Sequence, residues 1–190
     1  MKKIILLSGT PASGKDTISQ HLTRIDDKFV LLKKHKTGTG GKLDNSYILI
    51  EHSKFESMIE KSEFIQYHYR YNRGYGVSIK ELNKIFDSCK VPIIHVGKYE
   101  NLKPFKELEG VEVVSILLVV SKNETIKRLN ARHLDDAEEI ESRVNAYIEE
   151  RAEIASLISS CNSLNFDFMI NNDNKSASDI ARKIHKISEE

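Results

Sequence analysis

Two rhythms run through the apolar positions of this chain. In the first, apolar residues are nearly continuous, at residues 4–8, which end in Ser8, and again at 113–120, where Ser115 alone interrupts them. That is the pattern of parallel strands buried on both faces. In the second, apolar residues recur every three or four positions. This spacing predicts helices over 14–24, 52–60, 78–88, 123–131, 138–161 and 178–187. Phe55, Met58 and Ile59 share a face in the second of these, and Ile79, Leu82, Ile85 and Phe86 in the third. Ser78 is a candidate N-cap, and Pro104 suits the first turn of a helix within 98–108.

Shorter strands are predicted at 29–33, 47–50, 91–96 and 166–170, with Pro92 tolerated near a strand start. Residues 63–71 alternate bulky and polar side chains and read as a strand, followed by a turn at 72–74. The segment 33–42 is polar, basic and glycine-rich and reads as a loop. Residues 132–136 read as a polar break and 171–174 as a turn. The order is strand, loop, helix, an inserted αβ segment at about 35–77, then alternating strands and helices. It predicts an α/β fold, a parallel sheet with helices on both faces. The insertion is expected to be antiparallel. A ligand is expected at the carboxyl ends of the parallel strands.

Composition narrows the class. The chain has 190 residues, 39% hydrophobic and 30% charged, enough for one α/β domain. A net charge of +1 gives no bulk argument for nucleic acid or membrane, and no apolar run approaches a membrane span. Cys89 and Cys161 stand in no metal or redox spacing, and no histidine has the ligand spacing of a zinc site. The apolar run after Met1-Lys2-Lys3 is too short for a signal peptide. The reading is a cytoplasmic protein.

Candidate chemistry begins at Gly9-Thr10-Pro11-Ala12-Ser13-Gly14-Lys15-Asp16-Thr17, between the first strand and the first helix. That context is the one a P-loop requires. Glycines let the backbone turn its N–H groups onto a phosphate chain, and the helix adds the positive end of its dipole. Gly9, Ala12, Ser13, Gly14 and Lys15 are therefore donor-nucleotide candidates, with Lys15 reaching the β- and γ-phosphates. The residue after Lys15 is Asp16, and a hydroxyl comes only at Thr17. Asp16 either holds Mg²⁺, directly or through water, or is an acidic residue favoured in a first helical turn. Four tyrosines lie in the nine residues from Tyr67 to Tyr75. Tyr67, Tyr69 and Tyr71 read as sheet packing, and Tyr75 as open to ligand contact.

These residues resemble the guanylate kinase family over nearly the whole chain. The P-loop is followed in order by Phe55-Glu56-Ser57-Met58-Ile59-Glu60-Lys61-Ser62-Glu63-Phe64-Ile65, by Tyr75-Gly76 with Ser78, and by an arginine-bearing helix from Glu124 to Arg132. Phe168-Met169-Ile170-Asn171-Asn172-Asp173 resembles the turn that meets adenine. The resemblance implies a P-loop NTPase fold in one domain. Its core would be 1–34, 78–130 and 138–190, with an acceptor-binding insertion at about 35–77 and a lid at about 131–137. It also implies an ATP- and Mg²⁺-dependent kinase that transfers the γ-phosphate to a phosphate-bearing acceptor, most readily a nucleoside monophosphate such as GMP. Lys15, Arg132 and Arg143, with Arg128, would neutralise the phosphoryl in transit; Arg128 reads equally as a helix-surface partner of Glu124. Asn171 would meet the donor base, and Asp16 and Thr17 the metal.

On the acceptor side the chain departs from the family. The family's arginine loop is replaced by Lys33-Lys34-His35-Lys36-Thr37-Gly38, so Lys34, His35 and Lys36 become acceptor candidates beside Tyr47 and Tyr75. The guanine-reading carboxylate is replaced by Gln66, and an Asp-x-Asp by His95-Val96-Gly97. Gly-Lys-Asp and Tyr75-Gly76-Val77 are also similar to ribose 1,5-bisphosphate phosphokinase, a sugar-phosphate kinase of this fold. A third reading is a guanylate-kinase-like binding module without catalysis.

Overall fold

A computed structural model of the chain describes residues 2–38, 47–70, 72–97, 99–131, 137–159 and 166–189. The first apolar run is strand β1 (Lys2–Gly9), followed by helix α1 (Lys15–Ile25) and β2 (Phe29–Leu31). The insertion holds β3 (Lys34–Thr37), β4 (Tyr47–Ile50), α2 (His52–Glu60), β5 (Phe64–Arg70) and β6 (Arg73–Ser78). The chain then runs through α3 (Ile79–Asp87), β7 (Val91–Val96), a 3₁₀ turn (Tyr99–Leu102) and α4 (Lys103–Lys106). It ends with β8 (Val111–Val119), α5 (Lys122–Asn130), the long α6 (Ala137–Ser159), β9 (Phe168–Asn171) and α7 (Ala177–Glu189).

Five strands form one sheet in the order β2-β7-β1-β8-β9, every pairing parallel. The two nearly continuous apolar runs are its central pair. Side chains alternate across a strand, so β1 feeds two cores at once. Ile5 and Leu7 pack with Ile18 and Leu22 of α1 and Ile180 and Ile184 of α7. Ile4 and Leu6 pack on the opposite face with Leu82 of α3, Leu102 and Phe105. Ser78 caps α3 by accepting from the Glu81 N–H at 3.2 Å, as its place in the sequence predicts.

The insertion corrects three expectations: the loop at its start, the turn after β5 and a wholly antiparallel pairing. The basic segment begins as strand β3, and residues 73 and 74, read as a turn, belong to β6. These strands form a second sheet, β4-β3-β6-β5, in which β3 and β4 run parallel while the other pairings are antiparallel. Its outer face is aromatic and packs on α2. A Cβ at Gly74 would meet the Phe55 ring at 2.6 Å, and one at Gly76 the Phe64 ring at 2.5 Å. The bare glycines let these rings lie flat on β6, and its other face is left to the cavity between the two sheets.

Candidate functional site

The loop between β1 and α1 lies where the parallel strands end. Gly9 (φ +147°) and Gly14 (φ +94°) take backbone conformations that side chains oppose. Space forbids them too. A Cβ on Gly9 would sit 2.6 Å from the Leu118 carbonyl, and one on Gly14 2.9 Å from Asn172 Nδ2. The Lys15 ammonium curls over this loop, donating to the Gly9 carbonyl at 2.5 Å, the Thr10 carbonyl at 3.2 Å and Ser13 Oγ at 3.3 Å.

Two residues hold the loop from behind. Asn172, buried after β9, donates its side-chain amide to the Ser13 carbonyl at 2.8 Å. Arg128 donates to the Ala12 carbonyl at 3.2 Å and the Asn172 carbonyl at 2.5 Å. Its Nε pairs with Glu124 at 2.8 Å, one helical turn earlier on α5. Glu124 is itself placed by Ser121, whose Oγ accepts from the Glu124 N–H. A single guanidinium thus ties α5, the P-loop and the turn after β9 together.

The opposite wall is the inner face of the second sheet, and period-two alternation decides which side chains reach it. On β3, Lys34 and Lys36 point inward, while His35 lies against Phe64 and Thr37 accepts from the Gly74 N–H. On β6, Tyr75 points inward and meets Tyr47 edge-on, with ring centroids 5.8 Å apart. On β5, His68 faces its register partner Tyr75 and stacks on it at 5.5 Å, and Arg70 follows two residues on. Lys36 is buried, its ammonium 5.0 Å from the Tyr47 ring centroid and 5.8 Å from that of Tyr75. These distances suit cation–π attraction, which helps offset the cost of burying a charge.

Between the walls lies a cavity of about 540 Å³. The P-loop (Gly9, Pro11, Ala12, Ser13, Gly14, Lys15) and Asp16 form one side, and Lys34, Tyr47, His68, Arg70 and Tyr75 the other. His95 and Gly97, at the end of β7, close the floor, and Ser142, Arg143 and Glu150 of α6 form a third side. Four basic side chains (Lys15, Lys34, Arg70 and Arg143) face two carboxylates, a balance that favours an anionic ligand. The Lys34 ammonium donates to the His95 carbonyl. Burial, with some repulsion from Lys15, lowers its pKa to about 8. Ser19 Oγ lies 2.7 Å from His95 Nε2, and Asp16 Oδ1 lies 3.4 Å from Nδ1. Burial holds the His95 pKa below its ordinary value, which favours the neutral imidazole.

The cavity gathers Gly9, Ala12, Ser13, Gly14, Lys15, Asp16, Lys34, Tyr47, Tyr75, His95 and Arg143 from the residues that the sequence singles out. Six others lie outside its lining. Thr17 is exposed on α1. Asn171 Oδ1 caps the turn by accepting from the Asp173 N–H. Buried Gln66 bonds His68 at 3.0 Å, so it meets the cavity through that ring. His35 lies on the outer face, Lys36 behind the tyrosines, and Arg128 behind the P-loop. Arg132 lies outside the described residues. Of the tyrosines read as packing, Tyr67 and Tyr69 are on the outer face with Phe55, and Tyr71 is outside the described residues. Sequence reasoning missed His68, Arg70, Ser142 and Glu150. A signal existed for two of them, because Gln66, His68 and Arg70 are spaced by two on one strand.

The guanylate kinase family model matches residues 1–188. A guanylate kinase of Prochlorococcus marinus subsp. pastoris is 28% identical over 175 residues, covering 90% of each chain. One from Mycoplasmopsis synoviae is 24% identical, covering 97% of this chain and 95% of its own. The crystal structure of guanylate kinase from Anaplasma phagocytophilum has this fold, with a TM-score of 0.68 at 18% identity over 98% of this chain and 84% of that one.

The brace behind the loop can be tested by substitution. Arg128→Ala leaves Glu124 and the Ala12 and Asn172 carbonyls without its guanidinium. It should lower unfolding free energy in urea by about 1–3 kcal/mol, since both charges are only partly exposed. Thr17→Ala, on an exposed position, should change it by less than about 0.5 kcal/mol. Equal effects would remove the bracing role.

Proposed function

The chain belongs to the guanylate kinase family, and from that premise we propose that its cavity transfers the γ-phosphate of ATP to GMP, giving ADP and GDP. One observation carries the reading. The P-loop lysine and an acceptor wall of Lys34, Tyr47 and Tyr75 face one cavity, with Arg143 entering from a third side. Transfer between two phosphates asks little covalent chemistry of the protein. It asks that donor and acceptor be aligned and their charge neutralised.

Roles follow from position. The P-loop amides and Lys15 hold the donor phosphates, and Arg143 neutralises the phosphoryl as it moves. The family resemblance assigns the same duty to Arg132, which lies outside the described residues. Arg128 acts through the loop it braces, and Asn171 holds the turn expected to meet adenine. Tyr47 and Tyr75 bond the acceptor phosphate, with Lys34 as a cation on the same wall. The stacked His68–Tyr75 pair offers the base a planar ring, with Gln66 behind it holding the His68 imidazole.

The donor set also fits Mg²⁺. Asp16 presents a carboxylate that is 70% exposed, at the cavity beside Lys15. Mg²⁺ is commonly held by one or two carboxylates together with substrate phosphates. Bound there, the ion would neutralise polyphosphate charge. Thr17 is turned away, which favours Asp16 for that contact. No helix among the described residues is long and apolar enough to cross a membrane.

The test is ADP release from Mg·ATP against GMP, dGMP, AMP, CMP, UMP, dTMP and ribose 1,5-bisphosphate. GMP should give the highest kcat/KM, and Lys15→Ala should lower turnover at least about 100-fold while the chain stays folded. Turnover unchanged in Lys15→Ala would contradict the reading, and silence with every acceptor would favour a binding module.

Lys34 adds a pH signature. Its pKa is lowered to about 8 from 10.5, so in the free protein it loses its proton as pH rises through about 8. The unfolded chain binds more protons between those values, so this group's contribution to stability rises with pH across that window. A phosphate bound beside it would restore the charge. GMP binding at pH values just above 8 should therefore take up protons, measured by calorimetry in buffers of different ionisation enthalpy, and affinity should fall as pH rises. Lys34→Met should abolish this uptake. Uptake that persists in the variant would move the role to another group.

A further inference from the structure

The acceptor sheet offers the cavity one guanidinium among the described residues. Arg70 stands at the end of β5, on the inward face that also carries His68. Its Nη2 lies 2.9 Å from Glu150 Oε1 on α6, an ion pair joining the second sheet to the helix that carries Arg143. On the other side a Cβ at Gly97 would lie 4.0 Å from Arg70 Nη1, so the guanidinium passes over bare backbone at the end of β7. Arg70 thus lies where the acceptor sheet, the parallel sheet and α6 converge.

The other acceptor-side cations are less suited to gripping a phosphate. Lys36 is buried behind the two tyrosines, and Lys34 spends one donor on the His95 carbonyl. Neither has the planar fork that binds two phosphate oxygens at once. Glu150 is the more buried partner of the ion pair, its side chain 12% exposed against 36% for Arg70. Burial pushes its carboxyl above the ordinary range, so the ionised form is held there against a desolvation cost. A phosphate carries more charge than a carboxylate and matches the fork in geometry.

We propose that Arg70 binds the phosphate of the acceptor nucleotide, and that Glu150 holds its guanidinium over the cavity until that phosphate takes the carboxylate's place. The proposal rests on the kinase reading above and deepens it. It assigns to β5 a phosphate grip that the β3 segment, with lysines only, does not supply. The exchange also releases the ion pair tying β5 to α6, so acceptor arrival and the setting of α6 become linked.

The experiment compares GMP with guanosine, which lacks the phosphate, by calorimetric titration of the whole chain. Arg70→Gln should weaken GMP roughly 10- to 100-fold and leave guanosine unchanged. Glu150→Gln removes the competitor and keeps the guanidinium, so it should bind GMP several-fold more tightly. A purely structural ion pair predicts otherwise: both variants would weaken GMP and guanosine alike, and that result would overturn the proposal, as would GMP affinity unchanged in Arg70→Gln. Circular dichroism of each variant shows whether the fold persists, and the opposite sign expected for Glu150→Gln keeps the claim open to failure if Arg70→Gln unfolds. AMP, CMP and UMP are titrated with their nucleosides in parallel. A wild type that ignores GMP but binds one of these overturns the guanine reading, and Arg70 is then judged on that nucleotide's own pair. A wild type that binds no monophosphate overturns both.

Discussion

The grip of Arg128 and Asn172 on the back of the P-loop is the constraint on which the site depends. A loop built to surround phosphate has its N–H groups turned toward the ligand, so its carbonyls must be satisfied elsewhere. Here the Ser13 carbonyl accepts from Asn172 and the Ala12 carbonyl from Arg128, while Arg128 also binds the Asn172 carbonyl. These bonds fix the loop against β9 and α5 and set where Lys15 stands. Gly9 and Gly14 are the covalent side of the same constraint, since a side chain at either would strike Leu118 or Asn172.

The second sheet solves a different problem. It must present polar groups inward and still bury enough apolar surface to be stable. Alternation does both. Phe55 and Phe64 pack over Gly74 and Gly76 on the outside, while Tyr47, Tyr75, His68, Lys34 and Arg70 face the cavity. The cost shows in buried cations. Lys36 is held between two tyrosine rings, and Lys34 has its pKa lowered to about 8. Both are positive charges held close to the cavity, an arrangement that a phosphate-bearing ligand would stabilise.

How legible this was in the sequence depended on whether the signal was local. The parallel strands were readable because burial on both faces writes a nearly unbroken apolar run, and the P-loop because its glycine and lysine spacing is short and fixed. The cap at Ser78 is equally local. Strand β3 was not readable. Lys34-His35-Lys36-Thr37 has a loop's composition, and its burial comes from tertiary partners on both faces. The pairing of Arg128 with Glu124 follows from helical spacing, but its bonds to Ala12 and Asn172 span 116 and 44 residues. Arg70 was within reach, two steps from His68 and four from Gln66 along one strand. Glu150 was not, because it is one of several glutamates on a 23-residue helix.

The central claim is that donor and acceptor share one cavity, with P-loop and acceptor sheet as opposite walls. The most direct measurement is the binding of a single molecule that spans both, adenosine and guanosine joined through five phosphates. The account predicts that it binds more tightly than ATP or GMP and competes with each of them. Competition with ATP alone, at no gain in affinity, would contradict it.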